Sequence, residues 1–141
     1  LLEQAVAQFQ QRHPGLEVAL QVPPEPVEMD FDARRIRQAL DAILENAARH
    51  GTPPGKLSVE LESTPSLALV KVTDFGRGIA PADQRMLFER FGRPRGESAG
   101  LGTGLYIATE LTRLHGGVLA VRSSPQQGAT FTLGLPRVLP A

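Results

Sequence analysis

The sequence is poor in several kinds of residue, and each shortage excludes a class of function. Its 141 residues include no cysteine, which excludes a disulfide framework and thiolate chemistry and suits a reducing cytoplasm. Fifteen basic and fifteen acidic side chains cancel, so the net charge gives no support for nucleic acid as a partner. No apolar run approaches the roughly 18 residues that span a bilayer, and no signal peptide is recognisable.

What remains is the composition of one folded domain. Hydrophobic residues make up 41% of the chain and charged residues 21%, which is enough for one core and too little length for two ordinary domains. The chain starts without a methionine on an apolar helical pattern. We therefore expect residues 1–141 to form a single domain of a longer protein.

Apolar periodicity predicts three main helices and about five strands, mostly paired as hairpins. The main helices cover residues 2–9, 36–47 and 103–115, the last with Leu114 facing inward, and a shorter helix starts near Pro81. Either Asp30 or Asp32 would cap the second helix. The pattern indicates an α+β fold, with one mixed sheet covered by helices on one face.

Asp74 closes a predicted strand and opens a glycine-rich loop. An acid followed by Gly76 and Gly78 places a hydrogen-bond acceptor beside bare backbone that can approach a ligand closely. A second cluster, Gly100, Gly102 and Gly104, opens a helix, which is the usual setting for phosphate binding. Taken singly, each motif is a weak signal.

The second main helix carries a polar flank beside its apolar stripe. At about 100° per residue, Ala42, Asn46 and Arg49 lie together on that flank, with His50 at its edge. Asn46 is a candidate oxygen ligand for a hard cation, although a solvated surface residue would show the same pattern. Glu45 points about 100° away from Asn46, which argues against a role as general base.

Two familiar motifs are excluded by their context. Asp74-Phe75-Gly76 has the same sequence as the magnesium-binding triplet of eukaryotic-type protein kinases. This chain, however, has no His-Arg-Asp loop and no glycine loop before a strand lysine. The cluster at Gly100 follows a polar loop rather than a strand, and no acidic residue lies about 20 positions on. The dinucleotide-binding interpretation therefore fails.

Taken together, the motifs resemble those of the bacterial sensor histidine kinases. Residues 38–50 resemble the asparagine box, 74–79 the first glycine box, 87–91 the phenylalanine box and 100–105 the second glycine box. Residues 115–131 are similar to the terminal hairpin of the family, which shares a superfamily with gyrase, heat-shock chaperone and mismatch-repair ATPases. The resemblance implies a Bergerat-type fold: a two-layer α/β sandwich whose mixed, mainly antiparallel five-stranded sheet is covered on one face by three helices. It also implies a catalytic domain that binds ATP and Mg²⁺.

The resemblance also implies roles for individual residues. Asp74 would accept a hydrogen bond from the adenine amine, which favours ATP over GTP by about 2 to 3 kcal/mol. Gly76 and Gly78 would let the loop lie close to the base, and Ile79 would contact it. The remaining implied contacts are Asn46 with magnesium, Arg49 with a phosphate, His50 with the sugar or base, Gly102, Thr103, Gly104 and Leu105 with phosphates through backbone N–H groups, and Thr130 with adenine through water.

Two further pairs stay open between a functional and a structural role. Phe88 and Phe91 fit either a plain core or a lid-positioning role, while Arg93 and Arg95 fit either phosphate contact or solvation.

The sequence departs from the family pattern at Ala42. Relatives commonly carry a second asparagine there, and hydrolytic members of the superfamily carry a glutamate that activates water. Ala42 can do neither, so we assign no catalytic residue and expect phosphoryl transfer to a positioned acceptor rather than efficient hydrolysis. The segment 92–100 is short for a lid, which predicts millimolar-to-micromolar affinity, or about 4 to 8 kcal/mol.

None of the three histidines sits mid-helix beside an acid, as a phosphoacceptor would. We therefore expect the acceptor on an upstream dimerisation segment, and a response regulator as the second partner. The isolated domain would be a cytoplasmic monomer, and the full protein a homodimer, whether membrane-anchored or not. Two alternatives are an anti-sigma-type serine kinase and a nucleotide-sensing or protein-binding module with a degenerate site.

Overall fold

The computed structural model describes residues 1–50, 55–76, 78–88, 104–123 and 128–137, apart from the side chains of His50, Arg85 and Leu87. In this part of the chain, the order of elements is the predicted one, with three longer helices and one short one. The elements are α1 (Leu2–Arg12), β1 (Glu17–Gln21), α2 (Ala33–His50), β2 (Lys56–Ser63), β3 (Leu67–Asp74), α3 (Pro81–Leu87), α4 (Gly104–Leu114), β4 (Val118–Ser123) and β5 (Ala129–Pro136).

The five strands form one mixed sheet in the order β1-β2-β3-β5-β4. Only β1 and β2 pair in parallel, and the other neighbouring strands are antiparallel. The central pairing of β3 with β5 joins distant parts of the chain and sets Asp74 opposite Ala129. The predicted α+β fold with a mixed, mainly antiparallel sheet is thus confirmed.

The helices cover one face of the sheet. Alternate residues along β3 and β5 are buried, as expected for strands with one covered face. Helix α1 contacts β1, α2 contacts β3, and α4 contacts β4 and β5. The centre of the core is filled by fully buried side chains, the largest of which are Phe9, Phe131, Ile43, Leu44, Leu57 and Leu133.

Helix α2 and strand β3 run in the same direction and end at the same edge. Ile36 and Leu40 line a cavity with Ala68 and Val70, so both elements begin at the same end of the sandwich. Eighteen helical residues and eight strand residues each span about 26 to 27 Å. The second half of α2 therefore lies above the carboxyl end of β3.

Helix α4 runs antiparallel to α2. Its first residue, Gly104, approaches Ala42 so closely that a Cβ on Gly104 would lie 3.9 Å from that of Ala42. At the other end, His115 Nε2 accepts a hydrogen bond of 3.1 Å from the backbone N–H of Asp32. The amino terminus of α4 therefore opens at the edge where α2 and β3 end.

Local interactions decide two details that periodicity left open or misplaced. Asp32, rather than Asp30, caps α2, because its Oδ1 accepts a hydrogen bond of 3.2 Å from Arg35 N–H. The prediction that Leu114 faces inward is wrong, since Leu114 is 71% exposed and Thr112 is fully buried instead. The Thr112 hydroxyl donates to the Ala108 carbonyl at 2.7 Å, which satisfies it within the helix.

Candidate functional site

Asp74 is the last residue of β3, and its side chain lies on the helix-covered face of the sheet. The residue is only 1% exposed. Its Oδ1 accepts a hydrogen bond of 3.1 Å from Gly76 N–H, which closes a tight turn. A carboxylate offers about four lone-pair sites, so Asp74 has the capacity to accept from a ligand amine as well as from Gly76.

The loop after Asp74 is fixed at both ends. Gly78 has a φ of +75°, a backbone conformation that residues with a Cβ atom rarely adopt. This explains the glycine at this position. Ile79 is 4% exposed, and its backbone N–H donates to Ser123 Oγ at 2.8 Å. The described residues Asp74, Gly76 and Ile79 are therefore held by hydrogen bonds, and Gly78 by its backbone conformation, directly after β3.

Gly128 packs against the backbone at the start of this loop, at Asp74 and Phe75. It also has φ of +75°, and a Cβ on it would stand 2.2 Å from the carbonyl oxygen of Asp74 and 3.1 Å from Phe75 Cα. No other residue permits so close an approach between the start of β5 and the end of β3. Sequence reasoning placed Gly128 in the terminal hairpin but found no link to Asp74.

Asn46 lies one turn after Ala42, which faces Gly104 at the start of α4, and Asn46 is 8% exposed. Its Oδ1 is buried and has no hydrogen-bond partner among the described residues. Leaving such an acceptor unsatisfied costs about 1 to 3 kcal/mol, so the arrangement favours a bound donor or cation at this oxygen. A neutral amide oxygen is a suitable ligand for Mg²⁺.

A cation at Asn46 would need oxygen ligands from elsewhere. In the described ranges, no group of three or more His, Cys, Asp or Glu side chains could hold a metal ion. Magnesium commonly takes one or two protein ligands together with substrate phosphates and water. The residues present therefore fit a metal that arrives with a polyphosphate rather than a preformed metal cage.

The amino terminus of α4 supplies an anion-binding element at the same edge. Its first residue, Gly104, is exposed, whereas the side chain of Leu105 is 4% exposed and belongs to the core. The first turn contains no acidic residue. The first N–H groups of a helix lack intrahelical partners and lie at the positive end of its dipole, so this terminus can bind phosphate oxygens.

Several predicted site residues are only partly described or not described. Arg49 is exposed on the last turn of α2, three residues after Asn46 and on the same flank. His50 ends α2, but its side chain lies outside the described part of the structure. Gly102 and Thr103, together with Phe91, Arg93 and Arg95, also lie outside the described residues.

The structure does not bring Thr130 to the Asp74 side of the sheet. Thr130 pairs with Thr73, one position before Asp74, so its side chain lies on the opposite face of the sheet from that of Asp74. There its hydroxyl is 3.0 Å from that of Thr73. Strand register alone accounts for this, because Ala129, and not Thr130, shares a face with Asp74.

Glu45, whose side chain points about 100° away from Asn46 around α2, binds side chains at the end of α1. Its carboxylate accepts from Arg12 Nε at 3.0 Å and lies 2.8 Å from His13 Nε2. Burial raises the pKa of Glu45, but the hydrogen bonds and charges of His13 and Arg12 outweigh this, and the net pKa is lowered. Glu45 therefore ties α2 to the end of α1, in agreement with its exclusion as a general base.

Sequence reasoning missed Gln84, which lies on α3 close to the loop. Its Nε2 donates to the carbonyl oxygens of Ile79 at 2.8 Å and Ser123 at 3.0 Å. No motif marks this residue, because a glutamine on a short helix is common. Only the three-dimensional contact reveals its connection with the site.

The geometry combines three binding functions at one edge of the sandwich. A buried acceptor ends β3 at Asp74, an unsatisfied amide oxygen lies on α2 at Asn46, and a helix amino terminus opens at Gly104. These elements are suited to an amine-bearing base, a cation and an anionic chain.

No helix in the described part of the structure is both long and apolar enough to cross a membrane.

Comparison with known protein families gives a match over most of the chain. The family described as histidine kinase-, DNA gyrase B- and HSP90-like ATPase matches residues 31–139. The alginate biosynthesis sensor protein KinB of Pseudomonas aeruginosa is 36% identical over 138 residues, which cover 96% of the chain and 23% of KinB. The sensor histidine kinase MtrB of Mycobacterium tuberculosis is 34% identical over 128 residues, which cover 88% of the chain and 22% of MtrB. The chain thus spans about a quarter of the length of these relatives.

Solved structures agree with this match. A mycobacterial sensor histidine kinase, MprB, superposes with a TM-score of 0.85 at 28% identity, covering 98% of the chain and 94% of the MprB chain. Full-length ShkA, solved in complex with AMPPNP, superposes with a TM-score of 0.82 at 28% identity, covering 100% of the chain and 31% of ShkA.

Proposed function

Because the chain belongs to the histidine kinase-, DNA gyrase B- and HSP90-like ATPase family, we propose that it binds Mg-ATP as the catalytic domain of a sensor histidine kinase. In the full-length protein it would transfer the γ-phosphoryl group to a histidine of a dimerisation domain outside this sequence, for relay to a response regulator. The observation that carries the proposal is the buried Asp74 carboxylate at the head of a glycine loop, on the same edge as Asn46.

Adenine recognition follows from the acceptor character of Asp74. The exocyclic amine of adenine donates, and the carboxylate accepts, whereas guanine presents a carbonyl oxygen at that position and is repelled. Gly76 and Gly78 carry no side chains that would keep the base away from the loop backbone. Ile79 follows them and closes the loop with a buried apolar side chain.

Phosphate binding is divided between α2 and α4. Asn46 Oδ1 would hold a magnesium ion, which would neutralise part of the charge of the phosphates. The N–H groups of Gly104 and Leu105 would donate hydrogen bonds to phosphate oxygens at the helix terminus, with Gly102 and Thr103 preceding them in the chain. Arg49 would add a positive charge on the α2 side.

The reaction needs an acceptor held in line with the γ-phosphate. A histidine ring nitrogen forms a bond to the γ-phosphorus while the bond to the bridging oxygen breaks, and ADP leaves with that electron pair. Glu45, the acid nearest to Asn46 in sequence, points about 100° away from Asn46 and pairs with Arg12 and His13. The domain therefore contributes positioning and charge neutralisation rather than a base that activates water.

A titration of the domain with a non-hydrolysable ATP analogue and MgCl₂ tests the proposal. We expect a dissociation constant between about 1 μM and 1 mM, which corresponds to roughly 8 to 4 kcal/mol. The chemistry at Asp74 predicts much weaker binding of the matching GTP analogue. No binding of the ATP analogue at millimolar concentration would refute the proposal.

A second candidate function is a nucleotide-sensing module without phosphoryl transfer. Ala42 favours it, because an alanine supplies no polar side chain one turn before Asn46. The two candidates differ when the full-length protein is incubated with γ-labelled ATP. A kinase forms acid-labile phosphohistidine, whereas a sensing module binds the nucleotide and remains unlabelled.

Asn46→Ala should remove the magnesium dependence of nucleotide binding. We expect wild-type domain to bind the ATP analogue roughly tenfold more tightly with Mg²⁺ than with EDTA, and the variant to bind equally in both, because its cation ligand is gone. Titration calorimetry measures both constants. Gln38→Ala, which removes an exposed amide from the same helix, should behave as wild type.

The stability of the Asn46 variant adds a second criterion. Removing an acceptor that has no partner among the described residues should not lower the denaturation midpoint. A large loss of stability with an unchanged magnesium effect would show that Asn46 serves the fold and not the metal.

A further inference from the structure

A network of four residues joins α3, the glycine loop and the β4–β5 hairpin. Ser123 Oγ accepts from Ile79 N–H at 2.8 Å and donates to the Gly128 carbonyl at 2.6 Å. Gln84 Nε2 donates to the carbonyls of Ile79 at 2.8 Å and Ser123 at 3.0 Å. We name this network, composed of Ile79, Gln84, Ser123 and Gly128, the polar clamp.

The polar clamp fixes the Ile79 end of the glycine loop, whereas contacts of Asp74 fix the other end. At the Asp74 end, the loop is held by strand pairing with Ala129 and by the Gly76 hydrogen bond. At the Ile79 end, the backbone N–H is held by Ser123 and the carbonyl by Gln84. Both backbone groups of Ile79 are thus satisfied by side chains, so the shape of the loop depends on those two side chains.

The chemistry of the clamp is specific to a side-chain amide. A single NH₂ group on Gln84 supplies two donors to two carbonyl oxygens, which neither an apolar nor an acidic side chain of the same length can do. A carboxylate at this position would face the two carbonyls without a donor. The half-buried setting of Gln84 adds to the cost of losing these bonds.

We propose that Gln84 and Ser123 are positioning residues for base recognition, which hold the loop between Asp74 and Ile79 in its binding shape and attach it to α3. This inference rests on the proposed function, since it concerns the same nucleotide site. A loop that is already held in its bound shape binds with less loss of conformational entropy. Neither side chain needs to touch the nucleotide.

Gln84→Met and Ser123→Ala test the proposal by titration calorimetry with the ATP analogue, with and without Mg²⁺. We expect each variant to bind about tenfold more weakly, which corresponds to about 1.4 kcal/mol. The ratio of the constants with and without Mg²⁺ should stay at the wild-type value, because Asn46 lies on a different element. Gln4→Met, the same change on the exposed face of α1, is the matched control and should bind as wild type.

Amide hydrogen exchange without nucleotide gives the second readout. The Ile79 amide, which donates to Ser123 in the wild type, should exchange faster in Ser123→Ala and in Gln84→Met than in Gln4→Met. If instead both variants bind as tightly as wild type, or if the loss of affinity equals the fraction of protein that is unfolded, the positioning role is overturned and the proposed function is unaffected. If the wild-type domain does not bind the analogue at all, both proposals fail.

Discussion

Asp74→Asn should raise the dissociation constant for the ATP analogue by 100-fold or more, which leaves at most weak binding in a domain of modest affinity. The physical reason is the loss of a charge-assisted hydrogen bond worth about 2 to 3 kcal/mol, with a further cost when an amide is forced into the same place. If the amide oxygen keeps the 3.1 Å bond to Gly76 N–H, the NH₂ group takes the other carboxylate position. The NH₂ group of Asn and the exocyclic amine of adenine, both donors, then face each other.

The base preference of this variant gives a sharper measurement than the loss of affinity. Any binding that remains in Asp74→Asn should no longer favour the adenine over the guanine analogue, because an amide N–H can donate to the guanine carbonyl. Asp30→Asn, the same change at an exposed aspartate, should keep both the affinity and the preference. Circular dichroism should show both variants folded. Wild-type affinity in a folded Asp74→Asn would refute the assignment of adenine to Asp74.

Much of the fold was predictable because its elements are strongly patterned. The α2 stripe and the alternation in β2, β3 and β5 result from one buried face per element, so periodicity indicates them directly. The family was predictable because four motifs occur in order, and the match over residues 31–139 confirms it. Periodicity failed at Leu114, which is exposed. Thr112 is buried in α4 instead, because its hydroxyl is satisfied by a hydrogen bond within the helix.

Residue type in the sequence points to some residues of the candidate site, whereas residues that act through contacts with other elements give no such signal. Asp74 and Asn46 stand out as polar residues at apolar boundaries, and both are buried in the structure. Thr130 was assigned toward the adenine site, but pairing with Thr73 turns it to the other face, and register cannot be derived from one strand alone. Gln84 was missed because its partners lie on two other elements.

Gly128 connects the prediction of the fold with that of the site. Its type was visible in the sequence as a turn residue before a strand, but the reason for it is the backbone of Asp74, 2.2 Å from where its Cβ would stand. Asp74, the residue proposed to recognise the base, is therefore supported by a position more than fifty residues later. The dependence of Asp74 on Gly128 results from the pairing of β3 with β5. It can be recognised only when the register of the two strands is known.

Gly128→Ala should accordingly be the most destabilising single change near the site. A non-glycine residue at φ of +75° costs about 1 to 2 kcal/mol, and forcing a methyl group against the Asp74 backbone adds about 1 to 3 kcal/mol. The sum of roughly 2 to 5 kcal/mol would lower the thermal midpoint by about 10 °C in a domain of this size. Urea denaturation measures the free energy of unfolding directly.

The way in which the protein relieves this clash determines whether Gly128→Ala also weakens binding of the ATP analogue. The atoms in the way are the carbonyl of Asp74 and the Cα of Phe75, so the strand end itself must move, and the carboxylate moves with it. Folded Gly128→Ala should therefore bind the ATP analogue at least tenfold more weakly. Gly15→Ala is the matched control, since a Cβ there meets no atom within 4 Å, and it should change stability by less than about 0.5 kcal/mol. Equal stability of the two alanine variants would show that β5 does not press on Asp74 as the structure indicates.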